Sequence, residues 1–233
     1  MIDFHSHILP CIDDGSKSVE ESIEMLRLLK EQKVSTVVAT PHFYANHHSV
    51  GQFLSKREAS FIKISHLLND NLPRVILGAE VKYYEGISRL DNLKNLCIGD
   101  THLLLLEMPM KRWTEYILRE VRQLNSFGNI RVVIAHIDRY VSFQSKDTID
   151  TLIEDGILIQ ANTEFFLNFR TRRKAVKMLR SGLIHFIGTD CHNLKTRKPD
   201  MDDALSYIKR KCSDDFVQQF ESECKRFLYN AYN

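Results

Sequence analysis

The chain has 233 residues, 43% of them hydrophobic, which suffices for one sizeable core and excludes disordered, collagen-like and coiled-coil classes. Its 32 Lys+Arg against 30 Asp+Glu leave a net charge of +2, without the broad basic footprint of a nucleic-acid or anionic-membrane binder. No apolar run reaches the roughly 18 residues of a membrane span, no basic-then-apolar leader is evident, and five scattered cysteines without a C-x-x-C pair fit reduced thiols; the expectation is a cytoplasmic protein forming one domain over 1–233.

Short apolar, β-branched runs alternate with longer amphipathic stretches, the pattern of repeated βα units. The first strand, "MIDFH", ends in His5, and His7 two residues on falls on the same face. Asp13 and Asp14 follow in a loop closed by Gly15, from which Asp14 can turn back over the strand end; no role is assigned to Asp13. "SVEESIEMLRLLKEQK" predicts a helix with Ile23, Leu26 and Leu29, flanked by Met25 and Leu28, as its apolar face. Ser18 with Glu21 predicts a capping box at its start.

The second strand, "STVVAT", leads to His42 in "ATPHF", and His47 and His48 lie in a loop beyond it. His66, read inside a helix, and His102 and His185, at strand starts, are structural in this reading. The third strand, "RVILGAE", ends at Glu80; the fourth, "HLLLLE", at Glu107; the fifth, "RVVIAH", at His136, with Arg139 just after. The sixth, "ILIQANT", carries no ligand-type residue at its end. "RTRRK", from Arg170 to Lys174, reads as a solvated helix start, or else as a surface for an acidic tail. The seventh, "IHFIGTD", ends at Asp190, followed by Cys191, His192 and Arg197. A terminal helix in "SDDFVQQFESECKRFLYNAYN" would pack Phe216, Phe220 and Phe227 onto the core.

Seven βα units in this length suggest a small or distorted parallel barrel, with an open doubly wound sheet as the competing architecture. The placement of polar residues favours the barrel, because six of the seven strand ends deliver a metal-ligand type to one mouth. A lone histidine at a strand end is usually a solvated or capped one; six coincident strand ends are not absorbed that way.

Four carboxylates (Asp14, Glu80, Glu107, Asp190) and five histidines (His5, His7, His42, His136, His192) are too many for one tetrahedral ion. They fit a cluster of two or three. Nitrogen and oxygen donors without thiolate suit Mn²⁺, Fe²⁺, Zn²⁺ or Mg²⁺. Three such ions carry more positive charge than four carboxylates cancel, so the site would attract a phosphate dianion and acidify a bound water. Arg139 and Arg197 lie on loops over the same mouth, and guanidinium groups hold phosphate oxygens in pairs. The reaction class reached from the residues is phosphate ester hydrolysis.

The blocks "DFHSHILPCIDDG", "ATPHF", "GAEVKYY", "AHIDRY" and "GTDCHN", in this order over residues 1 to about 200, resemble the polymerase and histidinol phosphatase (PHP) superfamily. They are most similar to its bacterial protein-tyrosine phosphatases of capsule and exopolysaccharide synthesis. The resemblance implies an α/β fold, a distorted seven-stranded (β/α) TIM-like barrel, holding three metal ions, usually manganese. It groups His5, His7, Glu80 and Asp190 at one ion, Glu80, Glu107 and His136 at a second, and Asp14, His42 and His192 at a third. It gives phosphate binding to Arg139 and Arg197, and a phosphotyrosine substrate on a cognate membrane-associated tyrosine kinase. No ligand of the pattern is missing; Cys191 between two ligands and Lys195-Thr196 before Arg197 are the departures.

Three other readings compete. Cys191 and Arg197 form a C-x5-R string, the core of the cysteine-dependent tyrosine phosphatases, but "DCHNLKTR" has no glycine to wrap an anion and Asp190 would raise the thiol pKa. A histidinol-phosphate or other small phosphomonoester phosphatase would use much the same cluster, as would a PHP-type nuclease, against which the near-neutral charge argues. A metal-stabilised phosphotyrosine-binding module would need the ligands without turnover.

Overall fold

The computed structural model describes residues 1–126 and 130–229. Every one of the seven apolar runs contains a strand: β1 Ile2–Ser6, β2 Thr36–Ala39, β4 Arg74–Leu77, β6 Leu103–Glu107, β7 Arg131–Ile134, β8 Leu158–Asn162 and β9 Phe186–Gly188. Two short strands add to them, β3 His42–Phe43 and β5 Glu80–Lys82. All ladders are parallel and join the strands as β1-β2-β4 and as β3-β5-β6-β7-β8-β9.

These sheets form a parallel α/β half-barrel, in which the six-stranded sheet is open. All seven expected strands are present, but the third predicted run breaks into β4 and β5, and the second is followed by the separate short strand β3. Pro41 has no N–H for a ladder, and β3 starts after it. Opposite, Gly78 N donates to Ala39 O (2.8 Å) and Glu80 N to Pro41 O (3.1 Å), carrying the chain from β4 into β5. Glu80 therefore opens a strand where the sequence put it at the end of one, and His42 pairs with it across the β3–β5 ladder.

Strand alternation sorts β1. Asp3 and His5 turn to one side, while Phe4 turns to the other and stacks on Phe186 at 3.8 Å between ring centroids. Phe227 meets Phe186 edge-on at 5.3 Å. It lies on α8 (Asp214–Tyr229), whose Val217, Phe220, Cys224 and Leu228 are buried and whose Phe216 and Phe227 are half-buried against the core. The terminal helix thus packs the three phenylalanines onto the core as the sequence predicts, beside β1 and β9; residues 230–233 of that predicted segment lie outside the described residues.

Helix α1 spans Val19–Glu31, with Ile23, Met25, Leu26 and Leu29 buried and Leu28 half-buried. Ser18 accepts from Glu21 N at 3.1 Å, but the Glu21 carboxylate accepts from Lys17 N at 2.8 Å rather than from Ser18 N. The box closes one residue early. The remaining helices are α2 Val50–Ser65, α3 Glu115–Ser126, α4 Lys146–Glu154, α5 Thr163–Leu167, α6 Arg172–Arg180 and α7 Met201–Lys211. Arg170, Arg172, Arg173 and Lys174 are exposed at the start of α6, the solvated helix start expected. His66 sits at the C-cap of α2, not inside it, and His185 accepts from Ile159 N (3.1 Å) ahead of β9. Among the described residues no helix is long and apolar enough to cross a membrane.

Candidate metal centre

Glu80 is the centre of the site. It is buried, and the β3–β5 register sets His42 beside it, with His42 Nδ1 at 2.9 Å from Glu80 Oε2. From β1 and the residue after it, His5 Nε2 and His7 Nε2 lie 3.3 Å and 3.2 Å from the same oxygen. From the end of β7, His136 Nε2 lies 2.7 Å from Oε1. Burial alone would push the Glu80 pKa up, but the facing histidines, His5 foremost, outweigh it and hold it well below the usual carboxylate range.

Asp190 follows β9 with φ of 53°, a left-handed conformation that aspartate tolerates better than most residues. Its Oδ1 lies 3.5 Å from His5 Nε2 and 3.4 Å from His7 Nε2. Asp14, from the exposed loop after β1, reaches His42 Nε2 at 3.3 Å and His192 Nε2 at 3.4 Å. Glu107, at the end of β6, completes a group with His42 and Glu80. The nine ligand-type residues expected from the sequence are therefore in one place. Eight of them fall into His7, Asp14, His42 and His192; His5, His7 and Asp190; and His42, Glu80 and Glu107, with His42 beside Glu80 and Glu107 where the sequence reading grouped His136; His136, the ninth, joins through Glu80 Oε1 at 2.7 Å.

The donor geometry fits divalent ions. His42 Nδ1 and Glu80 Oε2, though close, do not meet in hydrogen-bonding geometry, and with Glu107 Oε2 and His192 Nε2 they are buried without a hydrogen-bond partner. Lone pairs left so in a buried pocket are costly unless a cation takes them. Three imidazoles also have Nδ1 tied: His5 to Gln160 Oε1 (3.2 Å), His7 to Asp13 Oδ2 (2.7 Å) and His192 to its neighbour Asp190's carbonyl O (2.8 Å). Donation from Nδ1 leaves Nε2 as the lone-pair nitrogen, the arrangement that supporting residues impose around metal sites. Burial opposes protonation of His7, yet the carboxylates of Asp13, Asp190 and Glu80 raise its pKa well above the ordinary value. Burial and the charge of His7 push His192 down to about 4, so it stays neutral.

The sequence reading left the role of Asp13 open and missed Gln160, Asn162 and Asp3. Asp13 accepts from His7 Nδ1, from Gly15 N (2.9 Å) and from His42 N (3.0 Å). Burial notwithstanding, those donors hold its carboxyl well below the usual range. Gly15 makes the loop possible, because a Cβ there would lie 2.2 Å from His7 O. Gln160 Oε1 also accepts from His136 N at 2.6 Å, which steadies a residue at φ of 29°. Gln160 Nε2 donates to Asn162 Oδ1 (3.0 Å) and Asn162 Nδ2 to Asp190 Oδ2 (2.9 Å). Asp3, whose pKa burial pushes up to about 6, receives Thr189 N (2.8 Å) and Oγ1 (2.6 Å). The signal was present: polar residues at every second position of "IDFHSH" and "IQAN", strands otherwise made for a core. Replacing Asp13 by asparagine should weaken metal affinity roughly 10- to 100-fold, as loss of a supporting carboxylate does. Isothermal titration with Mn²⁺ checks it, and excess metal should restore turnover.

The two arginines converge from separate turns on one oxygen. Arg139, in a 3-10 turn after His136, and Arg197 each place a guanidinium nitrogen 2.6 Å from Asp190 Oδ2. Their side chains remain 34% and 39% exposed; Arg139 donates one N–H to Asp190 and Arg197 pairs with it by charge, which leaves most of their five donors each for an anion at the edge of the cluster. Cys191 is fully buried, and burial pushes its thiol well above the ordinary value. It cannot present a thiolate beside Arg197. Cys191→Ser should keep most of the activity, measured as kcat/KM on an aryl phosphate; loss comparable to that from chelation would restore the thiolate mechanism.

A family model for capsular polysaccharide synthesis, CpsB/CapC, matches residues 1–228. The chain belongs to that family. The tyrosine-protein phosphatase YwqE of Bacillus subtilis (strain 168) is 29% identical over 240 residues, covering 99% of this chain and 92% of the relative. The tyrosine-protein phosphatase CpsB of Streptococcus agalactiae serotype III is 28% identical over 248 residues, covering all of both chains. Among solved structures, one from the work on YwqE of Bacillus subtilis and CpsB of Streptococcus pneumoniae, described as unique metal-dependent tyrosine phosphatases, superposes with TM-score 0.81. That match has 26% identity and covers 99% of this chain and 95% of the other. The CpsB/CapC membership bears out the resemblance drawn from the five ordered blocks.

Proposed function

We propose that this CpsB/CapC protein is a cytoplasmic, metal-dependent protein-tyrosine phosphatase acting in capsule or exopolysaccharide synthesis. The observation that carries the reading is the convergence of nine ligand-type side chains, several with unpartnered buried lone pairs, beside two arginines that share one carboxylate oxygen. His5, His7, Glu80 and Asp190 would hold one ion, Glu80, Glu107 and His136 a second, and Asp14, His42 and His192 a third, with manganese the preferred metal. His7 and His42 also lie close enough to their neighbouring groups to bridge. The chemistry the ions supply when bound is acidification of a water and neutralisation of phosphate charge.

The chain's own residues do the rest. Arg139 and Arg197 hold the phosphate and offset charge that grows on its oxygens in the transition state. Gln160, Asn162 and Asp13 fix the ligands before substrate arrives, so little reorganisation is left to the reaction. A distorted seven-stranded barrel over 1–233 would gather these groups; the Asp190 N to His5 O (2.8 Å) and His7 N to Cys191 O (2.9 Å) bonds, which tie the segment after β9 to β1, support it. A tyrosine-phosphorylated kinase is the partner this reading names.

The test compares Mn²⁺-reconstituted turnover of a phosphotyrosine peptide, a phosphoserine peptide and histidinol phosphate. The phosphotyrosine peptide should have the highest kcat/KM, lost on chelation and regained with Mn²⁺. Preference for histidinol phosphate would make the protein a small-molecule phosphatase, and tight phosphopeptide binding with no phosphate released would make it a binding module.

A further inference from the structure

A cavity of 410 Å³ opens beside the cluster. Asp14 and His42, two candidate ligands, line it together with Ile12, Tyr44, Phe53 and Lys56. The Tyr44 ring lies within 26° of parallel to the His42 ring, at 5.3 Å between centroids. Lys82 Nζ sits 5.3 Å from the Tyr44 ring centre, and the His47 ring is 5.4 Å away. Phe53 is buried and held edge-on by Phe43 at 5.3 Å, and Lys56 Nζ donates to His48 Nε2 at 2.9 Å. The aromatic wall is thus fixed in place before any ligand enters.

We infer that this cavity receives the aromatic ring of the phosphorylated tyrosine, and that Tyr44 is the residue that selects an aryl over an alkyl phosphate. The inference rests on the phosphatase reading above and names the substrate feature that the same site recognises. A cavity of this size suits a small organic group: Ile12, Tyr44 and Phe53 give it an apolar and aromatic part, and Asp13, Asp14 and three histidines with Lys56 a polar one. Because Asp14 and His42 line the same cavity as Tyr44 and Ile12, a phosphate held at the cluster would leave the group that departs with the ester oxygen beside Tyr44 and Ile12. A flat ring can pack there against Ile12 and Tyr44, with His42 and Lys82 holding Tyr44 from its ring faces; a serine or alkyl chain covers less of that wall. The loop of His47 and His48, which the sequence reading placed beyond the motif, supplies part of this wall and, through His48, the partner of Lys56.

The experiment uses the Mn²⁺-loaded full chain as wild type, Tyr44→Phe and Tyr44→Ala. Two readouts are taken: the ratio of kcat/KM for a phosphotyrosine peptide to that for a short alkyl phosphate, and calorimetric affinities for benzylphosphonate and propylphosphonate. Tyr44→Ala should lower both the kinetic ratio and the benzyl-over-propyl preference roughly tenfold, the scale of one aromatic contact, with Tyr44→Phe keeping both. Unchanged ratios in Tyr44→Ala, including a parallel fall for both substrate classes, would overturn the inference. A wild-type enzyme with no kinetic preference for phosphotyrosine would sink the substrate reading instead; the phosphonate preference and its response to Tyr44→Ala would then alone uphold or overturn the aromatic cavity.

Discussion

Glu80→Gln is expected to abolish turnover and strip metal from the protein while the fold survives. The carboxylate is buried with four imidazoles within 3.3 Å. The substitution keeps its size but removes the charge, and it puts an NH₂ where lone pairs must converge. A neutral amide is a poor ligand for divalent ions that the site holds through imidazoles and carboxylates. Loss of the charge that both fixes the ions and balances the histidines should lower kcat/KM by on the order of 10³-fold or more. Elemental analysis of the purified variant and a steady-state assay check both halves. Full metal content with wild-type turnover would remove Glu80 from the ligand set and with it the present assignment of the cluster.

Arg139→Ala and Arg197→Ala should each reduce kcat roughly 10²-fold, the loss typical of one preorganised donor to transition-state charge. Metal content should stay at the wild-type level. The reason lies in where the two side chains sit: both touch the outer oxygen of Asp190, while His5 and His7 face its other oxygen. Asn162 still donates to that outer oxygen when either arginine is gone, so the carboxylate stays oriented. Lysine at either position should recover only part of the rate, since an ammonium cannot offer the paired planar donors of a guanidinium. The discriminating measurement is metal content beside kcat. If both fall together, the arginines act by positioning Asp190 and do not hold phosphate.

The site was legible in the sequence to the extent that it lies on strand ends. His5 and His7, Glu107, His136, Asp190 and His192 were found because a parallel sheet carries the chain to its carboxyl edge and leaves each of them there. Glu80 was found for a partly mistaken reason: it begins β5 after the break at Gly78, and it meets His42 through register. Gln160 and Asn162 were passed over because amides do not announce themselves as ligands. Their importance comes from accepting His5 Nδ1–H and donating to Asp190, relations spanning 155 and 28 residues of chain. Tyr44 and Lys56 were invisible for the same reason, since only packing shows which loop walls a cavity.

What the sequence by itself determined is the alternation of strands and helices, the donor types and their order. Those follow from hydrophobic period and residue chemistry, both local properties of the chain. What only the tertiary structure decided is which donors share an ion, which nitrogen of each histidine is free, and that Asp13 supports His7 while its neighbour Asp14 reaches His42 and His192. These depend on angstrom-scale distances between segments far apart in sequence. Gly15 shows the physical link: with no Cβ it lets the loop fold back against His7, where any larger residue would collide with that backbone. Adjacent aspartates, equivalent in composition, are thereby given different work.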